Sequence, residues 1–404
     1  MAVHIDAKTE IKKISGKIKK ELIEWRRFLH QNPELSGEEY KTASFVAKKL
    51  REFGVDKIIE GYGNTTAVIG IIQGKHNTTV ALRADMDALP MQEKTGKPYA
   101  SKIPMVMHSC GHDAHTAMLL GAAKILSTLK EHLQGNIKLI FQPCEERHDC
   151  GGAKKLVEKG VLKNPDVSAI FGLHVFPELP SGTVGTRIGN FMASSDIFTI
   201  RIKGKGVHAS RPHQGVDSVL VAAQVINTIH HIVSRKVDPL HPAVVTIGKI
   251  EGGYAENIIP DEVKMAGTVR TLSLEVRNQI PKWMEHAIWG VTLSYGAAYE
   301  FKYNQGTPPV INDPKTTKFA LGMMKDLLGA DKVIEIENPS MGGEDFAEYL
   351  MEVPGTFIRI GIRNEKKGIK APLHSPVFDI DEDILPIGAS ILSYLAYKWV
   401  EEHS

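Results

Sequence analysis

The sequence predicts an α/β protein of two domains: a larger one with a largely parallel central sheet flanked by helices, interrupted by a smaller α+β one. Three observations carry this. The chain has 404 residues, more than one ordinary core holds and fewer than three need. Short β-rich apolar runs alternate with segments of helical periodicity before residue 190 and again near the C-terminus, as in a parallel sheet with helical crossovers. Between these stretches the order becomes β-α-β-β-α-β, the split-βαβ arrangement that closes a sheet of its own.

Ile11, Ile14, Ile18, Leu22, Trp25 and Leu29 recur every three or four residues until Asn32-Pro33 stops them, which predicts a first helix. Ser36-Gly-Glu-Glu39 has a capping-box pattern and predicts a second helix that ends at Phe53-Gly54. Ala67–Ile72 and Thr79–Ala84 are short apolar runs suited to buried strands. A helix over His115–Leu129, a strand over Ile137–Phe141, a helix over Ala153–Lys159 and a strand over Ala169–Leu173 continue the alternation. The inserted pattern takes in a strand at Ile197–Lys203 and a helix at Ser218–Ser234, then strands at Ala243–Ile250 and Glu262–Arg270. It closes with a helix at Leu274–Ser294 and a strand near Tyr299–Tyr303. Thr307-Pro308-Pro309 reads as the return linker, so the larger domain comprises 1–189 and 305–404 and the insertion 190–304.

Composition excludes several classes of function. Lys plus Arg number 49 against 47 Asp plus Glu, a net charge of +2, which makes no electrostatic case for nucleic acid or an anionic membrane. No apolar run approaches the roughly 20 residues of a membrane span. The N-terminal MAVHIDAKTEIKKISGKIKK has scattered charges and no apolar h-region, which argues against a signal peptide. Three cysteines cannot all pair within one chain, and a reducing cytoplasm is the expected compartment.

The chemistry-bearing residues fall where open α/β sheets bind ligands, beyond the carboxyl ends of strands. Asp85-Met86-Asp87 follows one strand, Glu145-Glu146 the next, and His174 a third. His108-Ser-Cys110-Gly-His112-Asp113 precedes a helix, and Leu373-His374-Ser375-Pro376 follows the last strand. Cys110 and His112, two apart across a glycine, can face one cation, and thiolate, imidazole and carboxylate together suit Zn²⁺, Mn²⁺ or a similar divalent ion. Adjacent glutamates allow one to bind metal while its neighbour acts as general base.

HSCGHDAHTAMLLGAA, the EE pair, LHV, GVHASRPHQGVD, GGYAENIIP with GTVR, and GGEDF with LHSP occur in this order. Together they resemble the aminoacylase- and carboxypeptidase-type di-metal hydrolases, in the amidohydrolase branch of N-acyl-amino-acid amidohydrolases, hippurate hydrolase and indole-acetyl-amino-acid hydrolases. The resemblance runs from about Trp25 to the C-terminus. It implies a catalytic larger domain and a ferredoxin-like lid or dimerisation domain. It also implies hydrolysis of N-acyl amino acids or dipeptides, two divalent ions per subunit (Zn, Mn, Ni or Co) and a homodimer.

By that resemblance Cys110, His112, Glu146, His174 and His374 match metal ligands, Glu145 the general base, and Asp87 the carboxylate that orients a ligating imidazole. His208 matches the histidine that reaches across a dimer interface to the scissile carbonyl. Asn257 and Arg270 match residues that hold the substrate's carbonyl or carboxylate, and His213 is a further candidate contact. The chain departs from the family pattern at Cys144-Glu-Glu-Arg147-His148-Asp149-Cys150, where extra thiols and an imidazole flank the base as potential ligands or as sites of oxidation. Two other readings use the same residues: Cys110 as a thiol nucleophile with His112 or His115 as base, and a metal-binding protein without turnover.

Overall fold

A computed structural model describes residues 6–147 and 150–404. Its contacts define two units, Met1–Gly189 with Asn312–Glu337 and Glu348–Ser404, and Asn190–Ile311 with Asn338–Ala347.

The larger unit is built on an eight-stranded sheet. Its order is Lys57–Glu60, Val68–Ile72, Asn136–Gln142, Thr79–Asp85, Val167–Pro180, Gly355–Arg363, Val184–Thr186 and Val333–Glu335. The four central strands run parallel, and antiparallel pairs occur toward the margins. Val68–Ile72 and Thr79–Asp85 are buried at every position, which is why they read as continuous apolar runs. Helices His112–Thr128 and Leu385–His403 pack against this core. They approach closely at Gly388, where a Cβ would stand 1.9 Å from Met118 Sδ, so only glycine fits.

The smaller unit contains Ser195–Lys203, Ser218–Arg235, Ala243–Gly252, Glu262–Thr271, Leu274–Tyr295 and Ala298–Thr307, the β-α-β-β-α-β order. Its four antiparallel strands are arranged with the first and third at the centre, and its helices supply Val221, Val225, Ile229, Ile280, Met284 and Ile288 to a separate apolar core.

Three local expectations are corrected. The first helix is two, Ala7–Lys17 and Lys19–Gln31, interrupted at Ile18. The second begins at Tyr40, and Ser36 and Glu39 do not form a capping box: Ser36 Oγ donates to Asp87 Oδ2 (2.7 Å), and Glu39 accepts from the amides of Gly37 and Cys144. Long-range donors have outcompeted the local cap. The strand assigned to Ala169–Leu173 runs from Val167 to Pro180, so His174 lies within it and not after it.

A buried ionic network joins the N-terminal helices to the His112 helix. Arg26 Nε donates to Asp113 Oδ2 (2.8 Å), and its Nη1 lies 3.1 Å from Asp379 Oδ1. His30 Nδ1 lies 2.7 Å from the same Asp113 oxygen, and Tyr99 donates to Asp379 (2.8 Å). Burial alone would raise the Asp113 pKa, but Arg26 and His30 outweigh it and hold the carboxyl well below the usual range. Replacing Arg26 with Leu should therefore lower stability by about 3–5 kcal/mol in urea denaturation, since it strands a buried carboxylate. The stabilisation from Asp113 is complete above the unfolded carboxyl pKa of about 4 and is lost as pH falls below it. The deficit of the Arg26→Leu protein relative to wild type should narrow in acid.

Candidate metal centre

Asp87, just beyond the end of Thr79–Asp85, is fully buried and organises the first part of the site. Its backbone carbonyl and its Oδ1 lie 2.9 and 3.2 Å from His112 Nδ1. A carbonyl only accepts, so Nδ1 carries the proton and Nε2 presents a lone pair. Asp87 Oδ2 accepts from Ser36 and from the amide of Glu146 (2.9 Å), which ties the two loops together. Burial opposes ionisation of Asp87, but the bond to His112 and the others prevail and its pKa is lowered.

Gly111, with φ of +87°, turns the chain between Cys110 and His112 so that both face the same region. His174 Nδ1 donates to the Val175 carbonyl (2.6 Å), leaving Nε2 3.5 Å from Cys110 Sγ. His374 Nε2 lies 3.3 Å from Glu146 Oε1. Its backbone is left-handed (φ 59°), and its amide donates to the Ser109 carbonyl (2.8 Å). Cys144, before the glutamates, is also left-handed (φ 61°), with its amide anchored on Glu39. Strain of this kind, held by surrounding bonds, is typical of built sites.

Cys110, His112 and His174 form one group whose ligand atoms all lie within 4.8 Å of one another, and Cys110, Glu146 and His374 form another. Cys110 belongs to both. Glu145 Oε2 stands 4.0 Å from His112 Nε2 and joins His112 and Glu146 in a third group. These residues fit a cation on their own chemistry. His112 Nε2 is buried and has no hydrogen-bond partner. Burial, reinforced by the charge of Glu146, pushes the Cys110 thiol well above its ordinary pKa, so a positive ion is what would favour the thiolate. Burial likewise opposes charge on His112, but Asp85 and Cys110 overcome it and raise its pKa. Burial lowers that of His174. The same raised thiol pKa speaks against Cys110 as a nucleophile working without metal.

Cys144 and Cys150 are paired as a disulfide, which corrects the expectation that they stand as potential ligands. His148 lies outside the described residues. Cys110 is the free cysteine.

The remaining candidates belong to the smaller unit. His208 is exposed, and its Nδ1 accepts from the amide (3.1 Å) of Ser210 and lies 2.8 Å from that residue's hydroxyl. Asn257 is exposed in a turn and His213 in the short 3-10 helix Pro212–Gln214, and the Asn257 carbonyl accepts from the amide of Ala209 (2.9 Å). Arg270 is half-buried, and burial lowers its pKa against a smaller opposing effect of Asp196. A Cβ at Gly343 would stand 3.0 Å from its Nη1, so glycine keeps that space open. The sequence pattern assigned Ser36 and Glu39 to a helix cap, named His115 only as an alternative base and gave Asp85 no role of its own; all four are buried around the site.

The sequence pattern of peptidase family M20/M25/M40 matches residues 81–398. Thermostable carboxypeptidase 1 of Saccharolobus solfataricus is 44% identical over 380 residues, 94% of this chain and 95% of that protein. The N-acetyl-L-cysteine deacetylase of Bacillus subtilis is 44% identical over 387 residues, 94% of this chain and 88% of its own length. Among solved structures, the Bacillus subtilis YXEP protein, a dinuclear metal binding peptidase from the M20 family, superposes with a TM-score of 0.84 at 37% identity. That match covers 96% of this chain and 99% of YXEP.

The shared position of Cys110 makes a prediction about stoichiometry. Elemental analysis of metal-saturated protein should find two ions per chain in wild type, one in His374→Ala, and none retained through gel filtration in Cys110→Ala.

Proposed function

The chain belongs to peptidase family M20/M25/M40, and on that premise we propose that this hydrolase cleaves the amide bond of N-acyl amino acids, with dipeptides as the adjoining substrate class. The observation that carries the reading is the convergence of Cys110, His112, Glu146, His174 and His374 beside a second carboxylate, Glu145. The carboxypeptidase and N-acetyl-L-cysteine deacetylase relatives support linear amides that bear a free carboxylate.

In this reading the five residues hold two divalent ions, of zinc, manganese, nickel or cobalt. Such ions supply Lewis acidity for the amide carbonyl and lower the pKa of water. Glu145 accepts the proton of the attacking water and delivers it to the amide nitrogen as the C–N bond breaks, releasing a carboxylic acid and a free amine. Asp87 orients His112 through the bond at Nδ1. Arg270 and Asn257, with His213 as a further contact, bind the substrate's carboxylate and carbonyl. The Ser210 amide can only donate to His208 Nδ1, so neutral His208 carries its proton on Nε2, the form that donates to a carbonyl oxygen developing charge.

The proposal includes a homodimer in which His208 serves the partner's substrate. Among the described residues no helix is long and apolar enough to cross a membrane. A reducing cytoplasm is part of the reading, against which the Cys144–Cys150 pair stands; mass spectrometry of protein alkylated at lysis distinguishes the two.

Glu145→Ala should keep its metal content and lose about 10²–10⁴-fold in kcat on an N-acyl-amino-acid panel assayed with each ion added back. Full turnover in that variant would reject the assignment of the base. Mixing the inactive Glu145→Ala and His208→Ala proteins should restore part of the activity through hybrid dimers, and no recovery would place His208 in its own subunit's reaction.

A further inference from the structure

Behind the ligand cluster lies a buried pair that the proposed chemistry does not use. His115 is 1% exposed and Asp85 0%. His115 Nδ1 lies 2.6 Å from Asp85 Oδ1, while its Nε2 accepts from the backbone amide of Val175 (2.9 Å). An amide nitrogen can only donate, so Nε2 must offer a lone pair, and the proton of the neutral ring sits on Nδ1, directed at Asp85. Asp85 is itself fixed: Arg83 Nη1 donates to Oδ2 (2.7 Å), and the Thr116 hydroxyl donates to its backbone carbonyl (2.9 Å).

Val175 is the residue through which this arrangement reaches the ligands. Its carbonyl accepts from His174 Nδ1 (2.6 Å), the bond that turns His174 Nε2 toward Cys110. Its side chain fills the space beneath the Cys110–His112 turn, where a Cβ on Gly111 would meet Val175 Cγ2 at 2.3 Å. One residue of a central strand thus sets the His174 ring through its carbonyl and supports the turn through its side chain, while its amide donates to His115.

We infer that the Asp85–His115 pair is a positioning relay: it fixes the Val175 backbone and through it orients His174 and the Cys110–His112 turn for divalent-metal binding. His115 acts here as a neutral acceptor and not as a ligand or base. The inference rests on the metal-centre reading given above. Outer partners of metal ligands change affinity by roughly 10–100-fold when removed, and the relay should act in that range although it touches the ligand only through a peptide.

The test compares His115→Phe, which keeps ring volume but offers no acceptor, with His115→Gln, whose Oε1 can still accept from the Val175 amide. Chelator-stripped proteins are titrated with Mn²⁺ by calorimetry, and thermal melts in chelator monitor the fold. The expected result is a loss of about tenfold or more in Mn²⁺ affinity for Phe, affinity within about threefold of wild type for Gln, and cooperative melts for both. Wild-type affinity in the Phe variant, or Gln as weak as Phe, overturns the relay. Absence of Mn²⁺ and Zn²⁺ binding by wild-type protein overturns the metal-centre reading and the relay with it, so the two failures are distinct. A second measurement needs no folded Phe variant. In ¹⁵N-histidine-labelled wild-type protein, the signals lost in His115→Gln should show a protonated Nδ1 and a bare Nε2, and an Nε2–H or doubly protonated ring would reject the relay.

Discussion

The larger unit gathers a thiol, three imidazoles and two carboxylates at one site, and the constraint that follows falls on Cys110 and His112, whose surroundings oppose the thiolate and neutral-imidazole forms a cation would need. Without a cation, burial and Glu146 disfavour the Cys110 thiolate, and His112 is drawn toward protonation by Asp85. These two shifts oppose the thiolate and neutral-imidazole forms that bind a cation, which a divalent ion would reverse, whereas burial already favours neutral His174.

The surrounding structure distributes the resulting charge in a regular manner. Three buried aspartates each pair an imidazole with a second donor: Asp87 takes His112 and Ser36, Asp85 takes His115 and Arg83, and Asp113 takes His30 and Arg26. A buried carboxylate is tolerated only with such partners. Because these partners come from the N-terminal helices, a central strand and the His112 helix, the same bonds that neutralise the carboxylates also lock distant segments together. Glu39 performs a similar task for the glutamate loop by holding the Cys144 amide.

What was legible in the sequence follows from the range of the interactions involved. The central strands were legible because burial on both faces makes them continuous apolar runs, and the ligand candidates because Cys110 with His112 and Glu145 with Glu146 form close pairs beside apolar segments. The margins of the sheet were not: Lys57–Glu60, Val184–Thr186 and Val333–Glu335 are too short for periodicity to register. Pro177 and Pro180 disguised the extension of the strand that contains His174. Ser36 and Glu39 misled because a capping pattern describes local donors, and their actual partners are 51 and 105 residues away. His115 escaped for the same reason, since its partner is a backbone amide 60 residues on.

The backbone is the common element in how the imidazoles are set. His112 Nδ1 donates to the Asp87 carbonyl, His174 Nδ1 donates to the Val175 carbonyl, and His115 Nε2 accepts from the Val175 amide. Tautomers fixed by main-chain groups do not depend on the rotamer of another side chain, so two of the candidate ligands are pre-oriented by the sheet and its adjoining turn. His374 differs. It sits on a loop, its side chain is 53% exposed, and its imidazole faces Glu146 without a backbone partner for the ring among the bonds described. Imidazoles held by the main chain on the buried side and an exposed one on the loop make the candidate centre asymmetric: His112 and His174 are fixed from behind by the sheet and its turn, while the His374 ring is open to solvent and held by Glu146.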